Sequence, residues 1–298
     1  MKNRDTFSGY HPLINFLYFG LVLLFSMIDM HPVCLGISLV CALAYSIYLN
    51  GKRAVRFNLL YLLPLFIIAA LFNPAFSHEG GTILTYLPSG NPLTLESITY
   101  GIGAAAMIVS VITWFSCYNA IMTSDKFVYL FGRILPGMSL ILSMTLRFVP
   151  KFKAQIRAVS DAQKCVGRDA SVGGIIKRAR NGLTILSSMI TWALENAIET
   201  ADSMKGRGYG LPGRTAFSIY KFDNRDKAAA IYLLLCGTYI IAGACLGGMR
   251  WRYYPTMKGV TFGAYPVSIF LCYFALCILP VVINVREDRK WRALQSAA

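Results

Sequence analysis

Six apolar segments determine what this chain can fold into, because each approaches the length of a membrane-crossing helix. A transmembrane helix needs about 20 predominantly apolar residues. Charged residues make up only 14% of the chain, whereas soluble domains contain about 25%. The sequence therefore predicts an all-α polytopic membrane protein with about six transmembrane helices. The segments lie at 13–29, 33–49, 59–73, 98–121, 228–249 and 264–284.

Basic residues alternate along the connections between these segments. The connection at 50–58, the region 122–227 and both chain ends are rich in lysine and arginine. The connections at 30–32 and 74–97 contain neither residue type. Because cytoplasmic loops carry the excess of basic residues in membrane proteins, we expect both termini to be cytoplasmic. Three basic residues in one outer connection run against this pattern: Arg250, Arg252 and Lys258.

The basic region between the fourth and fifth spans predicts two long cytoplasmic amphipathic helices. In the first, which begins at residue 151, apolar residues recur at helical spacing until the break at Val172-Gly173-Gly174. The second helix is predicted over about 175–204. Three acidic residues in its second half argue against a membrane span, since ionised groups are costly in a bilayer.

These observations divide the chain into three parts. Residues 1–150 form an N-terminal transmembrane region with four spans, residues 151–227 form the cytoplasmic helices, and residues 228–298 form a C-terminal region with two spans and a basic tail. Residues 134–150 are apolar but short and bounded by prolines. They are interpreted as an interfacial helix at the inner membrane face rather than as a seventh span.

Both cytoplasmic helices are predicted to end at a glycine beside an arginine. The two elements are Gly167-Arg168-Asp169 and Gly206-Arg207-Gly208. Glycine commonly ends helices, and the rigid fork of arginine suits a carboxylate at a protein interface. Docking to a cytoplasmic protein is the favoured interpretation. Contact with anionic lipid and packing against the chain's own membrane helices are the alternatives.

Several classes of function lack their usual sequence signatures. The P-loop pattern G-x-x-x-x-G-K-[ST] is absent, so the chain itself is not expected to cradle ATP phosphates. No motif typical of nucleic-acid binding accompanies the basic charge. A self-sufficient secondary transporter would need an ionisable group at mid-membrane, and Asp29 lies only at the edge of a predicted span. An integral membrane enzyme is disfavoured because the three histidines, His11, His31 and His78, do not form a convergent cluster.

Beyond single motifs, the chain resembles a known family over nearly its whole length. AQKCVGRD at 162–169 is followed by ADSMKGRGYG at 201–210, and HPLINFLYF stands at 11–19. NPLTLES precedes a span, and LRFVPKFKAQ leads into the first cytoplasmic helix. Together these stretches resemble the transmembrane T component of energy-coupling factor (ECF) transporters, the EcfT/CbiQ family.

The resemblance implies a scaffold in a prokaryotic cell membrane that has no catalytic or metal site and binds no cofactor itself. Two cytoplasmic P-loop ATPase subunits use ATP and magnesium. A small membrane S component, which contacts the scaffold within the lipid bilayer, captures a vitamin or a metal ion. The two cytoplasmic helices are then coupling helices, whose ends dock in grooves of the ATPases.

The family's docking motif, of the Ala-Arg-Gly type, can be carried over position by position. Gly206-Arg207-Gly208 matches the second motif, with glycine in place of alanine. When the first motif is aligned without gaps, Ala-Arg-Gly falls on Cys165-Val166-Gly167. The arginine follows two positions later, as Arg168. We expect Arg168, between Gly167 and Asp169, to make the first ATPase contact. The residues expected to face the S component are Leu186, Met189, Ile190, Ala193 and Ala197.

Overall fold

The computed structural model describes residues 5–77, 79–86, 92–132, 136–169, 171–209, 211, 220–259 and 263–297. Within these residues the chain forms nine longer helices, one short 3-10 helix (Phe7–Gly9) and two short antiparallel strand pairs. The helices are α1 (Pro12–Ile28), α2 (Pro32–Asn50), α3 (Lys52–Phe76), α4 (Leu95–Ile121), α5 (Ser124–Gly132), α6 (Pro136–Cys165), α7 (Ile175–Gly206), α8 (Asn224–Cys245) and α9 (Ala264–Ala297). The strand pairs are β1 (Ile83–Tyr86) with β2 (Pro92–Thr94), and β3 (Trp251–Arg252) with β4 (Lys258–Gly259).

Each of the six predicted spans coincides with an apolar helix. Helices α2, α3, α4, α8 and α9 are long and apolar enough to cross a membrane, and α1 is apolar but has only 17 residues. Helix α3 departs most from expectation, because it begins at Lys52, inside the connection expected at 50–58. Only Gly51, with φ at +55°, interrupts the chain after α2. The prediction of an all-α polytopic membrane protein is confirmed.

The chain divides into two compact units. Met1–Thr123 together with Tyr220–Ala298 form the membrane unit, which contains the six apolar helices. Ser124–Ile219 form the three-helix unit, which contains α5, α6 and α7. The division differs from the predicted parts because α6 continues through Pro150 instead of ending there. A proline inside a helix removes one backbone hydrogen bond, and here that loss does not end the helix.

Two histidines begin the first two helices of the membrane unit. The Nδ1 atoms of His11 and His31 accept hydrogen bonds from the backbone N–H groups two residues later, at 3.2 and 3.3 Å. Pro12 and Pro32 then occupy the first helical position, where a missing N–H costs nothing. Both histidines therefore have a role in helix capping. His78, the third, lies outside the described residues.

Buried aromatic side chains with bonded polar atoms form the centre of the membrane unit. Trp114 is fully buried, and its Nε1 donates to the Ser38 hydroxyl at 3.0 Å. Ser38 is also hydrogen-bonded to Ser26 at 2.7 Å. The Tyr18 hydroxyl, likewise buried, donates to the carbonyl of Cys277 at 2.9 Å. Tyrosine and tryptophan are stable in such a core because their polar atoms find partners there.

Candidate functional site

The C-terminal end of α7 is closed by a glycine turn. Gly208 has φ at +77°, a backbone conformation that glycine adopts without steric cost. Its N–H donates to the carbonyl of Lys205 at 2.9 Å, and the N–H of Tyr209 donates to that of Met204 at 3.0 Å. This pair of bonds is the Schellman motif, which satisfies the last carbonyls of a helix. Arg207 is consequently the last residue before the turn, and it is exposed.

The C-terminal end of α6 is closed by the same turn. Gly167 has φ at +78°. Its N–H donates to the carbonyl of Lys164 at 2.9 Å, and the N–H of Arg168 donates to that of Gln163 at 2.9 Å. The two predicted helix ends therefore share one backbone design. The expectation that glycine ends both helices is confirmed.

The shared turn fixes which residues are equivalent at the two ends. Gly167 corresponds to Gly208, so Val166 corresponds to Arg207, and its side chain is 71% exposed. Arg168 is exposed as well, but it follows the glycine and corresponds to Tyr209. The contact expected at Arg168 stays a prediction, at a position that is not equivalent to that of Arg207.

Asp169, predicted as part of the first docking element, is bonded within the chain. Its carboxylate accepts hydrogen bonds from the backbone N–H and from the hydroxyl of Ser171, both at 2.8 Å. These bonds, the backbone one first, lower the pKa of the Asp169 carboxyl. Its carbonyl accepts from the side-chain amide of Asn181 at 2.9 Å. Asp169 therefore holds the connection between α6 and α7 against the start of α7.

The two helix ends are far apart along α7. One precedes this helix and the other terminates it, and α7 contains 32 residues. At a rise of 1.5 Å per residue, such a helix is about 48 Å long. A single compact binding pocket therefore cannot hold both ends.

A groove of about 770 Å³ lies beside the end of α7, against α6. Arg147 and Lys151 of α6 line it together with Arg207, and Glu199 is the acidic residue among its lining residues. Neither Arg147 nor Arg207 forms an ion pair with any described residue. An excess of unpaired guanidinium groups favours an acidic partner at this end.

Helices α6 and α7 are fastened together near their midpoints. The Nζ atom of Lys151 donates to the Asn196 side chain at 2.6 Å and lies 5.4 Å from the ring centre of Trp192. The rings of Phe152 and Trp192 meet edge to face at 5.3 Å. These contacts fix one face of α7 on α6. These contacts were not predicted from the sequence. A basic residue and an aromatic residue on two neighbouring helices can nevertheless indicate a cation–π contact.

A different face of α7 carries an uncovered apolar stripe. Of the five residues expected to face the S component, Leu186, Ile190 and Ala197 are exposed and Ala193 is partly buried. Met189 differs, because its side chain is only 5% exposed. It lies seven residues before Asn196, which places both on nearly the same side of the helix. The stripe residues that are more than half exposed are Leu183, Leu186, Ile190, Leu194 and Ile198.

Four of the six hydroxyl groups of α7 bond to their own helix. Thr184, Ser188, Thr191 and Thr200 each donate to the carbonyl four residues earlier, at 3.1, 3.1, 3.2 and 2.6 Å. This is the usual way in which serine and threonine are satisfied inside a helix. The polar atoms of these four side chains therefore need no partner outside α7.

Within the described ranges, no group of three or more histidine, cysteine, aspartate or glutamate residues is arranged to hold a metal ion. The exposed Cys165 beside Val166 stands alone as a thiol at the first helix end. The candidate site consists of a pair of helix ends and one face of α7.

Comparison with known proteins agrees with these features. The family described as cobalt transport protein, CbiQ, matches residues 11–217. An energy-coupling factor transporter transmembrane protein EcfT from Lactobacillus helveticus is 35% identical over 106 residues, which are 35% of this chain and 38% of that protein. The protein of the same name from Leuconostoc gelidum is 34% identical over 105 residues, 35% of this chain and 38% of that protein. The one from Bacillus selenitireducens is 25% identical over 214 residues, 68% of this chain and 76% of that protein.

The length of the family match determines whether the chain can be assigned to this family. The regions matched in the first two relatives span little more than a third of each relative's length. The family match is much longer and includes both glycine turns, together with α1 to α7. Because it covers more than half of the sequence, the chain belongs to the EcfT/CbiQ family, the family that its helix-end motifs resemble.

Proposed function

We propose that the chain is the T component of an ECF transporter. It is a non-catalytic membrane scaffold that links two cytoplasmic ATPases, which use ATP and magnesium, to a separate S component. The observation that carries this proposal is Arg207, which a glycine turn displays at the end of α7 without an ion pair among the described residues. The family and the names of the relatives support a role in transport.

Coupling follows from anchoring each helix end to a different ATPase. The turn after Val166 binds one subunit and the turn after Arg207 binds the other, about 48 Å away along α7. When ATP brings the ATPases together, the two helices move with them. Such a change can drive transport only if the partners make different contacts in the open and closed states.

The S component contacts the apolar stripe of α7 and captures a vitamin or a metal ion. Exposed leucine and isoleucine side chains on a helix that also carries charged residues favour a protein partner, since large apolar patches are rarely left uncovered. In the same arrangement, the chain lies in the cell membrane of a prokaryote with both termini in the cytoplasm. The lipid bilayer covers the outward apolar faces of the membrane unit.

Co-purification from the native cell tests the scaffold role. The tagged full-length chain is extracted in mild detergent, and every protein that accompanies it is identified by mass spectrometry. We expect two P-loop ATPase domains and a small hydrophobic membrane protein. Recovery of the chain without any ATPase, from cells that express both at normal levels, would contradict the proposal.

A charge reversal at the end of α7 tests whether the chain docks through Arg207. Arg207→Glu is expected to weaken ATPase binding by about 3–5 kcal/mol. A buried carboxylate in the docking groove of the ATPase would then face another carboxylate instead of a guanidinium. Lys153→Glu is the matched control, since Lys153 is an exposed basic residue of α6 away from both turns. Binding to immobilised ATPases measures both variants. Equal affinity of wild type and Arg207→Glu would contradict docking through Arg207.

A further inference from the structure

We infer that the connection between α8 and α9 binds the phosphate-bearing headgroup of an anionic phospholipid. The cavity that carries this inference has a volume of about 590 Å³. Its basic lining residues are Arg250, Arg252 and Lys258, the three that run against the alternation of basic residues in the other connections. The inference goes beyond the proposed function, because it requires neither an ATPase nor an S component.

The three basic residues have no counter-charge among the described residues. No acidic residue is among the described residues that line the cavity, and none of the three forms an ion pair. Arg252 and Lys258 are direct partners across the strand pair β3–β4. Like charges directly opposite each other in a strand pair are destabilising. An anion bound between the two side chains would replace this repulsion by attraction.

One acidic residue in the same region leaves the site its charge. Arg250 also lines a second cavity, of about 360 Å³, together with Asp29. The two side chains do not form an ion pair. Asp29 is only 8% exposed, whereas Arg250 is exposed. The guanidinium group of Arg250 is therefore available to an anion from outside the chain, and its planar fork suits the oxygens of a phosphate group.

Hydrogen bonds to two other connections hold the cavity wall in place. The Tyr253 hydroxyl donates to the carbonyl of Met30, between α1 and α2, at 2.8 Å. The N–H of Gly81, between α3 and α4, donates to the carbonyl of Pro255 at 2.9 Å. The basic residues on both sides of these anchors are thus positioned before a ligand arrives. Such pre-organisation lowers the entropic cost of binding.

The position of the cavity favours a lipid over a soluble anion. Its lining residues follow the end of α8 and precede the start of α9, two helices that are apolar enough to cross a membrane. Headgroup layers extend about 5–8 Å beyond each side of the hydrocarbon core, so residues just past the helix ends meet headgroups. Leu246, which is 76% exposed, directly precedes the lining residue Gly247. A phospholipid covers the leucine with an acyl chain and neutralises the basic residues with its phosphate, whereas a free anion does only the latter.

Hydrogen exchange in nanodiscs of defined composition tests this inference. The full-length chain is reconstituted in phosphatidylcholine alone and in a mixture of phosphatidylcholine with phosphatidylglycerol. We expect the amides of residues 250–259 to exchange about tenfold more slowly in the mixture, because a ligand that binds the folded connection stabilises it. Equal exchange in the two lipid compositions would overturn the inference.

A charge reversal separates lipid binding from the stability of the strand pair. Arg252→Glu places a carboxylate opposite Lys258, so exchange in phosphatidylcholine alone should be as slow as in the wild type or slower. The same variant should lose the slowing by phosphatidylglycerol, since a carboxylate repels the phosphate. Lys153→Glu, the same change of charge in the three-helix unit, is the matched control and should keep it. A full response to phosphatidylglycerol in Arg252→Glu would overturn the inference.

Two further arms identify other occupants of the cavity. Inorganic phosphate at millimolar concentration is added to the chain in phosphatidylcholine nanodiscs, and the membrane protein that co-purifies with the chain is added in a separate sample. Slowing by inorganic phosphate equal to that by phosphatidylglycerol would assign the cavity to a soluble anion. Slowing that requires the added protein would assign it to an acidic protein surface. Either result would overturn the lipid site.

Discussion

The membrane unit and the three-helix unit use apolar side chains in opposite ways. In the membrane unit, Trp114 and Tyr18 are fully buried and their polar atoms are bonded within the unit. In the three-helix unit, Leu186 and Ile190 belong to a stripe that is more than half exposed. Apolar residues thus stabilise the chain itself in one unit, whereas in the other a row of them stays exposed on the surface of the unit. The two uses can be distinguished by substitutions at neighbouring positions.

The largest effect is expected in the core of the membrane unit. Trp114→Ala removes a fully buried side chain and leaves the Ser38 hydroxyl without its indole donor, so it should cost about 3–5 kcal/mol of unfolding free energy. Phe115→Ala is the control, because Phe115 is its neighbour in α4 and is 47% exposed. Thermal unfolding of the purified chain in detergent measures both. Similar losses of unfolding free energy in the two variants would contradict the distinction between core and lipid-facing positions.

A smaller effect distinguishes the two faces of α7. Met189→Ala should destabilise the three-helix unit by about 2 kcal/mol, since a buried methionine is truncated. Leu186→Ala, three residues earlier on the exposed stripe, should change stability by less than about 0.5 kcal/mol. Hydrogen exchange of the α7 amides compares the variants. A larger loss for Leu186→Ala would mean that the stripe is covered within the chain itself.

At the end of α7, Gly206 should tolerate substitution by alanine, whereas Gly208 should not. Gly208→Ala forces a side chain into the left-handed region and should cost about 1–2 kcal/mol locally. Gly206→Ala, in the last turn of α7, introduces a side chain that meets no atom within 4 Å and should be neutral or slightly stabilising. Amide exchange at residues 205–209 is the measurement. Unchanged protection in Gly208→Ala would show that the turn does not depend on glycine.

The smallest effect concerns the pH dependence of the connection after α6. Hydrogen bonds from Ser171 lower the pKa of Asp169 in the folded chain, so the ionised carboxylate is favoured by folding. Its contribution is present above the ordinary aspartate pKa and is lost as the pH falls through the lowered value. Amide protection of Ser171 should therefore decline in acid. Asp169→Asn, which keeps an acceptor but cannot titrate, should abolish that decline.

Local chemistry made most of the fold predictable from the sequence. Apolar segments of span length and the glycines at 167 and 208 specify helices and their ends directly. Pro150 was misleading, because a single lost hydrogen bond does not outweigh the continuous helix on both sides of it. The connection expected at 50–58 is reduced to Gly51, since one residue at positive φ suffices to separate α2 from α3.

The candidate site depended more on tertiary contacts and was predicted less completely. Arg207 and its glycines were identified because the turn is encoded within a few residues. Met189 was expected to face the S component, but its side chain is buried, and the side of α7 that packs on α6 is determined by Lys151, Trp192 and Asn196. At the first end, the residue type drew attention to Arg168. The hydrogen-bond register of the turn agrees with the alignment without gaps, in which Val166 is the equivalent of Arg207.

The internally bonded hydroxyls of α7 have a consequence for movement. A helix whose serine and threonine groups sought partners outside would hold a neighbour in one register, because each directional bond would have to break before the neighbour could shift. In α7, Thr184, Ser188, Thr191 and Thr200 are bonded to their own backbone. A neighbour on the leucine and isoleucine stripe then meets mainly non-directional contacts, which can be exchanged one for another with a low barrier. Such contacts would oppose the sliding of a neighbour along this stripe less than directional hydrogen bonds would.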